Sequence, residues 1–160
     1  MFKKFLLSVS VLVCSITALK AVPPAKMEVC EGTQFILKEM IAGREQAMKG
    51  KAMAEDPSQF NSNVLFSGWE GVGISEPPSG FRFIFYQQGK DVKTLEPMFA
   101  AMKSAFQNCP LADGPLPVTT DVAGHFEFAI SGVAVMLRLL PPNAEMSANL
   151  ILLISKTPAK

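Results

Sequence analysis

Histidine occurs once in this chain, tryptophan once and tyrosine once, and cysteine three times. Each scarcity excludes chemistry. A histidine-based catalytic triad would have to use His125, and no G-x-S-x-G or S-x-x-K pattern supplies a nucleophile for it. One histidine and a few cysteines do not make a usual zinc site, so no metal is expected. Methionine is plentiful, and thioethers can hold Cu(I). However, Met98 and Met102 share an apolar stripe with Leu95 and Phe99, where methionine packs a core. Gly68, Gly71 and Gly73 do not lead into a helix, so they form no phosphate loop and no cofactor is expected. Without a C-x-x-C motif there is no support for redox catalysis.

What is present begins with the leader MFKKFLLSVSVLVCSITALKA. Two lysines precede an apolar core of about 12 residues, and small residues follow, in the order of a secretory signal peptide. A spanning helix needs roughly 20 apolar residues, so an anchor is not expected. Residues 1–21 are read as the signal peptide, with cleavage after Ala21, or after Ala18 as the alternative. Val13 is too bulky to make Cys14 a lipid attachment point. Cleavage would remove Lys3, Lys4 and Lys20 from the 15 basic residues and none of the 14 acidic ones, taking net charge from +1 to −2. That leaves no basic excess to hold nucleic acid. Residues 22–160 suit one domain with a single core. They contain no further run of membrane-spanning length; Leu150 to Ile154 is strand-sized. The short lysine-led leader and the lack of Asn-X-Ser/Thr sites suggest a bacterial periplasmic or secreted protein.

In an oxidising compartment Cys30 and Cys109 read as one disulfide. It would close a loop of about 80 residues, worth on the order of 4 kcal/mol in the chain-entropy view. Cys30 lies one heptad before Leu37 on a first helical stripe, placed within residues 27–55 and ended by Asp56-Pro57. Within it, Glu45 and Lys49 have the favourable i,i+4 order. A second helix is better marked: Leu95, Met98, Phe99, Met102, Ala105, Phe106 and Cys109 keep helical spacing, with Thr94 as N-cap, Pro97 in the first turn and Pro110 as the stop.

Between and after the helices the chain is extended. Residues 64–75 and 81–88 flank a Pro-Pro-Ser-Gly turn, and residues 125–130, 133–140 and 149–155 follow. The last two are so rich in aliphatics that they belong near a sheet centre. The fold class is therefore α+β: two helices on one face of a mostly antiparallel sheet, in the order α-β-β-α-β-β, with an extra edge strand near 118–122. Ser67-Gly68 and Pro77-Pro78 recur 64 residues later as Ser131-Gly132 and Pro141-Pro142, and Phe35 recurs as Phe99. This hints at an αββ duplication.

Three functional expectations follow. The first is an exported, non-catalytic domain that binds a protein partner in the bacterial envelope, as a complex subunit, an inhibitor or an immunity-type protein. Trp69, Arg82 and Tyr86 would form its patch if strands 64–75 and 81–88 pair. The second is a carrier of an apolar ligand or lipid, with a pocket lined by Phe81, Phe83, Phe85, Phe126 and Phe128. The third is a hydrolase built on His125, which shares a strand face with Glu127.

Overall fold

Apolar residues at every third or fourth position from Leu95 onward give one helix an unbroken stripe, and that stripe places it on a sheet. The computed structural model describes residues 25–69, 71–75, 80–144 and 146–156; the leader and Pro77-Pro78 lie outside them. Helix α2 runs Val92–Asn108 and buries Leu95, Met102 and Phe106. Its N-cap is Asp91 rather than Thr94: the Asp91 carboxylate accepts the Thr94 N–H at 2.9 Å. Pro97 consequently falls in the second turn, where it leaves the Lys93 carbonyl without its helical donor.

Helix α1, Val29–Ile41, is shorter than the sequence suggested. It ends at Gly43, whose φ of +70° is costly for any residue with a Cβ. The Gly43 N–H donates to the Met40 carbonyl at 3.1 Å and the Arg44 N–H to the Glu39 carbonyl at 2.9 Å. This pair of bonds is a Schellman ending. The charged stretch beyond it forms a 3-10 turn, Glu45–Met48, and strand β2, Lys49–Ala52. Glu45 and Lys49 are therefore not helical partners. Glu45 accepts from the Lys156 ammonium at 2.7 Å, while the Lys49 ammonium lies 3.9 Å from the Phe60 ring centroid. Asp56, expected to stop a helix, organises the turn that follows β2 instead. It accepts from the Ser58 hydroxyl, the Ser58 N–H and the Gln59 amide. The Ser58 hydroxyl bond, with the other two, holds its carboxyl below the usual aspartate range.

The remaining strands are β1 (Ala25–Met27), β3 (Gln59–Ser62), β4 (Val64–Phe66), β5 (Gly71–Ser75), β6 (Arg82–Gly89), β7 (Val118–Val122), β8 (His125–Ile130), β9 (Val133–Leu140) and β10 (Ala148–Lys156). The stretch expected as one strand over 64–75 is two. Gly68, at φ +80°, turns the chain, and β4 leaves the main sheet to pair in parallel with β1. All other pairings are antiparallel, in one eight-stranded sheet ordered β2-β3-β5-β6-β10-β9-β8-β7. The edge strand expected near 118–122 is β7, and the aliphatic β10 and β9 lie centrally. Both helices cover one face, so the chain is α+β with its helices segregated.

The connectivity repeats. Helix α1 is followed by β2, β3, β5 and β6, which step from one edge to the centre; α2 is followed by β7, β8, β9 and β10, which step in from the other edge. The repeated unit is thus a helix with four main-sheet strands, not the αββ expected from the sequence. Ser67-Gly68 and Ser131-Gly132 occupy corresponding turns, with both glycines at φ +80°.

The covered face holds the core. Phe83 and Phe85 on β6, Leu150, Leu152 and Ile154 on β10, and Leu137 on β9 are fully buried. Cys30, at the start of α1, is bonded to Cys109, just past α2, with Cα atoms 5.7 Å apart. The bridge spans 79 residues of sequence. It ties the two helices together over the sheet. Among the described residues no helix is long and apolar enough to cross a membrane.

Candidate binding face

Strand alternation sends every second residue of β6, β8, β9 and β10 away from the helices. Cross-strand register lines these residues up. Ile84, Leu153, Met136 and Glu127 form one row across the four strands. Tyr86, Ile151, Arg138 and His125 form the next. Opposed residues in such rows touch and stabilise one another. The four aliphatic and thioether side chains in these rows, Ile84, Leu153, Met136 and Ile151, are partly exposed, and no described helix lies over them.

The chemistry of the face is selective. It carries the only tyrosine in the chain and two of its three arginines, Arg82 and Arg138. The one lysine in these four strands, Lys156, points to the helix side and pairs with Glu45. Tyrosine, methionine and arginine enriched and lysine depleted is the composition of protein–protein interfaces. Arg138 is exposed and makes no ion pair among the described residues.

The patch expected from Trp69, Arg82 and Tyr86 is not brought together. Arg82 and Tyr86 do share the open face, with Ile84 between them. Trp69 is on the helix side, edge-on to Phe85 with centroids 6.2 Å apart, and packs against the core. The turn at Gly68 and the departure of β4 carry it there. Phe81, Phe83, Phe85, Phe126 and Phe128 share the covered face as expected, but they fill it: none is more than 3% exposed. Phe66 stacks on Phe85 at 4.1 Å, Phe81 lies 5.3 Å from Phe83, and Phe106 meets Phe128 edge-on at 5.5 Å. Ring surface that would line a ligand pocket is spent on neighbouring rings.

His125 and Glu127 are side by side, with Nε2 3.3 Å from a Glu127 oxygen. The contact has ion-pair distance without hydrogen-bond direction, since Nε2 has no hydrogen-bond partner. Cross-strand neighbours of His125 are Arg138 and Val122, neither a nucleophile. Cys30 and Cys109, the other predicted pair, are joined. Among the described residues no three His, Cys, Asp or Glu side chains are grouped to hold a metal.

No family model, curated protein or solved structure matches this chain. Function is left to the geometry of the open face. Four of its residues, Met136, Arg138, Ile151 and Leu153, were missed in the sequence because β9 and β10 read as uniformly aliphatic. The available signal was Arg138, a charge in the middle of an apolar run.

Proposed function

We propose that this protein is an exported, non-catalytic binding domain that engages a protein partner through the helix-free face of its sheet. The observation that carries the reading is the make-up of that face. An aliphatic stripe runs across its central strands, flanked by the single tyrosine and by two arginines, with no lysine in these strands on that side. Partly exposed residues such as Ile84 and Leu153 still have apolar area to remove from water, at roughly 25 cal/mol per Å². An arginine without an ion-pair partner beside such a stripe is suited to act as an anchor. Export is supported by the Cys30–Cys109 bond, which an oxidising compartment maintains, and by the leader-like residues 1–21.

The Phe-lined pocket of the carrier reading is filled by ring packing, and the hydrolase reading rests on the His125–Glu127 contact alone. The test is affinity capture from the cell envelope with the tagged protein. Leu153→Asp with Arg138→Ala should lower recovery of the partner by on the order of tenfold or more, as loss of central contacts does. Phe35→Asp, on the outer side of α1, should leave recovery unchanged. Undiminished capture by the open-face variant rejects the proposal.

A further inference from the structure

We infer that the partner seated on the open face is a second copy of this chain, packed sheet against sheet about a two-fold axis. The inference rests on the binding role proposed for that face. Three observations carry it.

The first is charge. Glu127 is opposite Met136 on the neighbouring strand, and Arg138 lies two residues further along that strand. The two are diagonal neighbours of opposite sign, and no ion pair joins them within one chain. A two-fold axis lying in the interface plane and passing between them exchanges their positions. Each Arg138 then meets Glu127 of the second copy, and the contact forms twice. A self-complementary surface of this kind is what an isologous interface requires.

The second is area. The five strands β5, β6, β10, β9 and β8, with 5, 8, 9, 8 and 6 residues, cover roughly 600 Å² in flat projection at about 3.4 Å per residue and 4.8 Å between strands. Side-chain relief raises the accessible area towards the roughly 800 Å² per partner of a standard interface.

The third is layering. One face of the sheet is packed under helices, while the other carries Ile84, Leu153 and Met136 with no described layer above them. A second sheet at the usual spacing of about 10 Å would interdigitate with these side chains and give a helix–sheet–sheet–helix stack.

Sedimentation velocity over about 1–100 µM, on protein purified with its disulfide intact, decides the matter, because ordinary interfaces of this size associate in or below that range. A dimer is expected. Glu127→Arg and Arg138→Glu should each weaken it by on the order of tenfold or more through like-charge contacts. The double variant should restore it, a rescue that misfolding would not produce. Leu153→Asp should give a monomer with unchanged circular dichroism, and Phe35→Asp should remain dimeric. A wild-type monomer throughout the range overturns the inference, as does a dimer indifferent to both charge variants and to Leu153→Asp. Should the wild type be monomeric while Leu153→Asp abolishes capture of a different protein, the self-pairing falls and the binding role of the face stands.

Discussion

Leu152 and Leu153 are chemically identical and adjacent, yet the pleat of β10 gives them opposite surroundings. Leu152 is fully buried beneath the helices, while Leu153 lies partly exposed between Ile84 and Met136. Leu152→Ala should cost about 2–5 kcal/mol, since the close-packed core can collapse only in part around the lost atoms. Leu153→Asp should cost roughly 1 kcal/mol, the scale of strand preference at a wet position. Urea titration of both variants against wild type, at protein concentrations too low for association, measures the contrast within one chain; equal losses would mean that the open face is covered by the chain itself. At this scale the sequence was readable wherever alternation was clean. Phe81, Phe83 and Phe85 were placed on one face, and Arg82 and Tyr86 on the other. Trp69 was misplaced because its side depends on where β4 leaves the sheet, and parity along a single strand does not encode that.

Helix α2 was legible as an element because its stripe is continuous and Pro110 ends it. Helix α1 was overextended because spacing alone does not show that Gly43 takes a left-handed conformation. Once it does, the Arg44 to Glu55 segment is free to turn and pair as β2. Six of the seven pairings in the eight-stranded sheet join successive strands of that sheet; only β6 with β10 joins distant segments, and local patterning cannot rank that pairing. The disulfide was legible because two thiols on two buried stripes have few other uses outside the cytosol. It also ties the two helices directly to each other. Cys30→Ser with Cys109→Ser should lower stability by on the order of 4 kcal/mol, as expected from freeing a loop of this length. Thermal melting with and without reductant checks this, and an unchanged melting temperature would show that sheet packing alone fixes the helices.

As a whole, the molecule has two unlike sides: a helix layer clamped by a covalent bond, and a bare sheet whose composition suits another protein. Tyr86 on the bare side and Phe35 on the helix side are similarly exposed, at 40% and 37%. That makes them a matched pair for probing which side is used. The most direct measurement is photocrosslinking in the cells that make the protein, with a photoreactive phenylalanine placed at position 86 or at position 35. Crosslinks to a protein, whether a second copy or a different chain, are expected from position 86 and not from position 35. Crosslinking from position 35 with none from position 86 would contradict the assignment of function to the open sheet.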